Sequence, residues 1–70
     1  MFEIENYDQE FRDNIYNNKE VHLKKFEDCT FINCNFTETF FKDCKFKYCE
    51  FINCNLSLIK VSGSKFISIV

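Results

Sequence analysis

Large apolar residues recur at every fifth position along most of this chain. From Phe11 to Phe66, the twelve successive positions of this series hold Phe, Tyr, Val or Leu. A period of five matches neither the alternation of a half-buried strand nor the 3.6-residue period of an amphipathic helix, so either element would scatter these side chains over all of its faces. The spacing therefore predicts a chain that turns once every five residues.

A second series lies two residues before the first and holds small side chains. It contains all five cysteines and also includes Thr39, Ile59 and Ser64. The segment FINCN occurs at residues 31–35 and returns at residues 51–55, so four five-residue steps separate equivalent positions. We predict that both series point inward and form the core, which consists of Phe26, Phe31, Phe36, Phe41, Phe46, Phe51, Leu56, Val61, Phe66, Cys29, Cys34, Cys44, Cys49 and Cys54.

From about residue 26 the chain reads as eight units of five residues, CTFIN, CNFTE, TFFKD, CKFKY, CEFIN, CNLSL, IKVSG and SKFIS. This part of the chain resembles the pentapeptide repeat proteins, whose units carry a small residue, a polar residue, Leu or Phe, and two variable residues. The resemblance implies an all-β fold, a right-handed quadrilateral β-helix with four units per coil. About two coils are expected, with residues twenty apart stacked at the strand spacing of about 4.8 Å. Asn33 with Asn53, and Asn35 with Asn55, are then expected to form amide ladders.

Residues 1–20 fit this pattern less well, because the small series fails there. We interpret them as an N-terminal capping segment in front of a repeat domain at residues 21–70, since the end unit of a solenoid must shield the first buried layer. Tyr7, Phe11 and Ile15 recur every four residues, which is consistent with a short helix. An irregular first coil is the alternative interpretation.

Composition and charge narrow the class of protein. Seventy residues are enough for one small domain, and the net charge is −2. Residues 1–20 hold six acids and two bases, whereas residues 21–70 hold five acids and seven lysines, so neither part predicts a nucleic-acid or membrane partner. With no apolar stretch of membrane-spanning length and no signal-peptide pattern, we expect a cytoplasmic protein.

The cysteines admit three interpretations. Their spacing fits the loose end of zinc-ligand spacing, and stacked pairs are candidates for a disulfide or redox role. We favour the third, a structural core, because every cysteine falls in the small inward series. No cofactor or metal is expected. The single histidine, His22, is predicted to face solvent, no serine has a neighbouring base, and one glycine cannot form a phosphate-binding loop, so we expect no enzyme.

The outer surface carries the candidates for binding. Phe40, Tyr48 and Leu58 occupy outward positions, and Ile69 and Val70 end the chain within a repeat. This apolar end has two interpretations: the chain is the N-terminal part of a longer protein, which we favour, or the open end docks against a second copy as a homodimer.

Two function classes follow. We favour a non-catalytic scaffold or protein-binding module, because a solenoid offers extended faces. The resemblance implies an alternative, since some longer pentapeptide repeat proteins mimic DNA, bind gyrase or topoisomerase IV, and protect against quinolones or toxins. The lysines of residues 21–70 depart from the acidic surface that such mimicry requires.

Overall fold

The protein is a short β-solenoid. The computed structural model describes residue 2 and residues 4–69, and within this part of the chain every regular element is a strand. The strands are β1 (Ile4–Tyr7), β2 (Glu10–Arg12), β3 (Glu20–His22), β4 (Lys24–Glu27), β5 (Thr30–Ile32), β6 (Phe40–Lys42), β7 (Lys45–Lys47), β8 (Glu50–Ile52), β9 (Lys60–Ser62) and β10 (Lys65–Ile67). None of the described residues therefore belongs to a helix that is long and apolar enough to cross a membrane.

Parallel sheets form the sides of the solenoid. The first side is the sheet β1-β4-β7-β10, the second is β2-β5-β8, and the fourth is β3-β6-β9. The third side lacks named strands and is held by isolated parallel bridges from Ile15 to Asn35 and from Asn35 to Asn55. Paired residues are twenty apart throughout, as in Phe31 with Phe51. The four sides expected from the FINCN repeat are thus confirmed.

The solenoid has three coils rather than about two. Coil 1 comprises residues 4–23, coil 2 residues 24–43 and coil 3 residues 44–63, and β10 begins a further layer on the first side. The proposed helix through Tyr7, Phe11 and Ile15 is wrong, because β1 pairs with β4 and β2 pairs with β5 in the common register. Pairing is continuous across the predicted boundary at residue 20, since β3 spans Glu20–His22. The N-terminal segment covers coil 2 by following the same path as the repeats.

At each corner of a coil, the chain turns through a residue in the left-handed backbone region. Positive φ values recur every five residues, from Asp8 at 52° to Ser68 at 52°. Asp, Asn or Gly occupies most of these corners, because these residues tolerate the left-handed region better than others do. At the corner formed by Gly63, with φ of 63°, a Cβ atom would also overlap the Oδ1 atom of Asp43 in the coil below. Corners of this geometry explain why the chain turns once per pentapeptide.

The core is a set of stacked phenylalanine rings inside the coils. Phe46 lies between Phe26 and Phe66, with ring centroids 4.9 Å away on each side and interplanar angles of 14° and 2°. Rings on adjacent sides meet either at a tilt, as do Phe36 and Phe41 at 47°, or edge to face, as do Phe41 and Phe46 at 5.2 Å and 87°. Such offset-stacked and perpendicular pairs are the favoured aromatic geometries.

Burial along the inward series depends on the layer. The side chains of coil 2 and of the start of coil 3 are buried, from Phe26 to Cys49. The predicted core residues beyond this point are not fully buried: Phe51 and Cys54 are half-buried, and Leu56, Val61 and Phe66 are exposed. Their side chains belong to the inward series, but no further layer of the described chain stacks above them along the solenoid axis.

Candidate binding surface

The small inward side chains donate hydrogen bonds across the layers. Each thiol or hydroxyl of this series bonds to the backbone oxygen of the residue twenty-three positions earlier. Cys54 Sγ lies 3.2 Å from the oxygen of Phe31, and Thr39 Oγ1 lies 2.7 Å from that of Tyr16. The series therefore selects a donor as well as a small volume, which explains why Cys, Thr and Ser alternate there. Ile59 is the exception.

The structure places the cysteines in the core as separate, unpaired thiols. Burial raises the pKa of the Cys34, Cys44 and Cys49 thiols above the ordinary value, so they are protonated at neutral pH. Among the described residues, no three His, Cys, Asp or Glu side chains come close enough together to hold a metal ion. The chemistry of these thiols is that of weak buried donors.

The two predicted asparagine ladders have different outcomes. At the corner between the second and third sides, Asn53 donates from Nδ2 to Oδ1 of Asn33 at 2.7 Å, as expected. The other ladder is wrong, because Oδ1 of Asn35 accepts bonds from the backbone N and hydroxyl of Thr37, and Asn55 similarly caps the N of Ser57. These short side chains bond to the local backbone in the manner typical of Asn in turns.

Phe40 is less accessible than its outward position predicted. It is half-buried on the fourth side, where its register neighbours are Glu20 below and Lys60 above. The long stems of such neighbours cover apolar surface while their charged ends remain in water. Phe40 stays a predicted contact residue, with part of its side chain accessible. His22, on the same side, is exposed as predicted.

Tyr48 and Leu58 are exposed at two corners of coil 3. Their φ values are 56° and 58°, and their exposed fractions are 52% and 72%. Large side chains are disfavoured in the left-handed region, and equivalent corners of the coils below hold Asp28 and Glu38. Each of these two corners therefore combines a strained backbone conformation with an exposed large side chain. Lys47 Nζ lies 5.1 Å from the ring centroid of Tyr48 and restrains it through a cation–π contact.

The second side, which begins at the Tyr48 corner, carries an apolar column near its opposite edge. Arg12, Ile32 and Ile52 occupy equivalent outward positions on β2, β5 and β8, and Ile52 is exposed. We call Ile32, Ile52 and Tyr48 the isoleucine side. Ile32 and Ile52 are the equivalent residues of the two FINCN segments.

The first side is basic. Lys25, Lys45 and Lys65 share one outward column, with Glu5 at its N-terminal end. The Nζ atom of Lys25 lies 4.0 Å from the Oε1 atom of Glu5 and 3.7 Å from the Oε1 atom of Glu27. Burial lowers the pKa of Lys25, but the nearby Tyr7 side chain and the neighbouring carboxylates outweigh this effect, and the net shift of the pKa is upward.

The C-terminal end of the solenoid is apolar. A hollow of about 200 Å³ is lined solely by apolar side chains, namely those of Phe41, Phe51, Leu56, Ile59, Phe66 and Ile69. Ile69, which was predicted as a contact residue, is exposed at the rim. Val70 lies outside the described residues. We call Leu56, Val61, Phe66 and Ile69 the C-terminal end face.

The comparisons with known proteins agree with this geometry. A family model described as pentapeptide repeats matches residues 25–63 in eight copies. The matched range includes the corners, stacked rings and small donors of coils 2 and 3. No curated protein matches the chain.

Proposed function

Because the chain belongs to the pentapeptide repeat family, we propose that it is a non-catalytic scaffold that binds another protein through the isoleucine side. The observation that carries this proposal is that the second side holds three apolar side chains that are exposed or half-buried, Tyr48 at its first corner and Ile32 and Ile52 near its opposite edge. Exposed large residues that are held in a strained backbone conformation, as Tyr48 is, are typical of functional positions. A flat solenoid side is also a surface on which a partner can bury several residues at once.

The composition of the isoleucine side matches that of a binding surface. Aromatic residues are enriched among the residues that dominate interface energies, and Tyr48 is a half-exposed aromatic that Lys47 already restrains. The polar residues Thr30 and Glu50 lie on the same strands, between the Tyr48 corner and the isoleucines. The expected partner therefore presents apolar groups on both sides of a polar strip.

The experiment compares a surface variant with a matched control. The triple variant Ile32→Thr, Ile52→Thr, Tyr48→Asp removes the apolar side chains, and Asp also suits the left-handed corner. The control variant Lys42→Ser, Thr37→Ser changes exposed or half-exposed residues on the third and fourth sides. Immobilised wild type is used to capture a partner from extract of the source cells under reducing conditions, and the purified partner is then titrated against all three proteins.

We expect a single saturable partner whose affinity falls at least about tenfold for the triple variant, which corresponds to about 1.4 kcal/mol. The control should bind as the wild type does. Equal affinity for the triple variant, or no saturable binding by the wild type, would contradict the proposal. Circular dichroism checks that both variants keep the β-solenoid.

Topoisomerase binding by DNA mimicry receives no support from the charges. The column of Lys25, Lys45 and Lys65 gives the first side a positive potential, whereas a mimic of DNA must present negative charge. A gyrase supercoiling assay with added quinolone tests this alternative, and we expect no protection. A cytoplasmic location agrees with five unpaired cysteines, because thiols stay reduced there.

A further inference from the structure

The first side of the solenoid concentrates positive charge on two of its strands. β7 and β10 hold Lys45, Lys47 and Lys65 and no acid. All three side chains lie at outward positions on the flank of the solenoid, since only Phe46 and Phe66 of these strands belong to the inward series. This surface is therefore independent of what stacks on either end of the coils.

The acids of the first side do not balance these lysines. Glu5 and Glu27 belong to β1 and β4, where both lie close to Lys25. The ion pairs among the described residues include neither Lys45 nor Lys65. Two neighbouring ammonium groups repel each other, so carboxylates that bind across both relieve this repulsion.

The second outward column of the same side is partly apolar. Ile67 lies above Lys47 in the register of β10 with β7, and its side chain is exposed. The aliphatic stem of a lysine adds apolar surface while its charged end remains in water, so Lys47 extends this surface below Ile67. The side therefore presents charge along the column of Lys45 and Lys65 and apolar surface beside it. Two such parallel stripes fit an amphipathic partner with an acidic stripe and an apolar stripe.

The spacing of the lysines favours an α-helix that lies along the solenoid axis. Lys45 and Lys65 are register partners on adjacent strands, so their Cα atoms are about 4.8 Å apart. An α-helix rises about 1.5 Å per residue, which places residues i and i+3 of one face about 4.5 Å apart along its axis. An extended chain presents the side chains of one face about 6.7 Å apart and falls out of step with the lysines.

A long polyanion such as a nucleic acid fits this surface less well. Asp28 and Asp43 occupy corners on the two edges of the first side, and Glu5 and Glu27 lie further along it. A uniformly charged strand that extends past the lysines would meet these carboxylates, in a protein whose net charge is already −2. A helix whose acidic stripe is only as long as the lysine pair avoids them.

We propose that the first side is a second protein-binding surface, which binds an amphipathic α-helix of a partner protein. The helix lies along the solenoid axis, with carboxylates at positions i and i+3 over Lys45 and Lys65 and with apolar side chains over Ile67. This surface is separate from the isoleucine side, because its contact residues lie on β7 and β10. The scaffold thus offers two adjacent sides of different chemistry.

The test uses two synthetic peptides of identical composition and about 20 residues, a length that supports a helix in water. The striped peptide carries glutamates at positions i, i+3 and i+7 beside an apolar row, and the scrambled peptide distributes the same residues around the helix. Fluorescence anisotropy of the labelled peptide measures binding in reducing buffer at low salt, and circular dichroism checks that both peptides are helical. We expect the striped peptide to bind at least about fivefold more tightly than the scrambled one, and added salt to weaken its binding.

A charge reversal and a matched control locate the binding surface. Lys45→Glu places a carboxylate between Lys25 and Lys65 in the column, which suits the fold but sets a like charge against the glutamates of the peptide. We expect this variant to bind the striped peptide about tenfold more weakly than the wild type does. Lys42→Glu makes the same change of net charge on the fourth side and should alter the affinity by less than about twofold.

A further variant separates this surface from the isoleucine side. Ile32→Thr combined with Ile52→Thr changes only the isoleucine side, so it should leave the binding of the striped peptide unchanged. A loss of binding in this variant would place the peptide on the isoleucine side and would overturn the present proposal. With binding unchanged, either proposal can fail without the other.

Several other outcomes would also overturn the proposal. They are equal affinity for the two peptides, equal losses for Lys45→Glu and Lys42→Glu, and no saturable binding of the striped peptide by the wild type. A single-stranded DNA oligonucleotide is titrated in parallel. Tighter binding of this oligonucleotide than of the striped peptide, weakened by Lys45→Glu, would overturn the proposal in favour of a nucleic-acid surface.

Discussion

Coil 2 and the last layer of the solenoid share the same repeat but differ in burial. Phe31 in coil 2 has an exposed fraction of 1%, whereas Phe66 in the last layer, at an equivalent inward position, has 39%. Phe31 has a ring on each side, from Phe11 and Phe51, but Phe66 stacks only on Phe46. Burial therefore comes from the layers above and below, and the repeat decides only which way a side chain points.

We expect the two layers to differ most in how much stability they lose when one phenylalanine ring is removed from each. Phe31→Ala opens a cavity among buried rings and should lower the free energy of unfolding by about 3–5 kcal/mol, which would unfold much of so small a protein. Phe66→Ala loses one stacked neighbour and should cost less than half as much. Urea unfolding at low protein concentration measures both values. Equal losses would show that the last layer is as well packed as coil 2.

A smaller difference is expected from removing a donor of the small inward series. Thr39→Val keeps the shape but removes the 2.7 Å hydrogen bond to the backbone oxygen of Tyr16, which retains a 3.0 Å bond from the backbone N of Lys19, at a cost of about 1.5 kcal/mol. Ser64→Ala removes the equivalent 3.0 Å bond to the oxygen of Phe41 and also the 3.0 Å bond that Ser64 Oγ accepts from the backbone N of Cys44. In this more exposed layer water can replace both partners, so the substitution should cost less than about 1 kcal/mol. The same unfolding measurement tests both substitutions. If Thr39→Val left the free energy of unfolding unchanged, the small inward series would require only a small side chain and not a hydrogen-bond donor.

The smallest difference is expected from the pH dependence of the thiols. The pKa of Cys49 is raised by burial above the ordinary 9.0, so the unfolded state loses this proton first as the pH rises. The stability that the buried thiol contributes is complete below about pH 9 and is lost as the pH rises through the folded-state pKa. Unfolding measured between about pH 7 and pH 10 in reductant should give a shallower decline for Cys49→Ala than for the wild type. A slope unchanged by the substitution would contradict this assignment.

The sequence was sufficient to predict the four-sided solenoid and its inward positions, because stacking repeats the same local choice at every fifth residue. It was insufficient for coil 1, where Asn6 replaces the large apolar residue and no cysteine marks the small series. A third signal was present: Asp8, Asp13 and Asn18 are five residues apart and occupy the left-handed corners. Their recurrence extends the repeat through the segment that was interpreted as a cap.

The surface was harder to predict than the core, because exposure depends on neighbours from other coils. The half-burial of Phe40 depends on the column that it shares with Glu20 and Lys60, twenty residues away on each side. Ile52 became a candidate once its column with Ile32 was seen on the side that begins at the Tyr48 corner. Both outcomes require the register, which the repeat at twenty contains but which a residue-by-residue assessment of exposure does not use.

The left-handed corner at every fifth residue has a consequence for how such a surface can change by insertion. One added pentapeptide would preserve both inward series but would carry every later outward residue to the next side of the solenoid, a quarter turn away. Four added pentapeptides would return each residue to its own side, one layer further along the axis. Insertions of whole pentapeptides therefore move outward residues such as Ile52 or Lys65 to another side of the solenoid without disturbing the core packing beneath them.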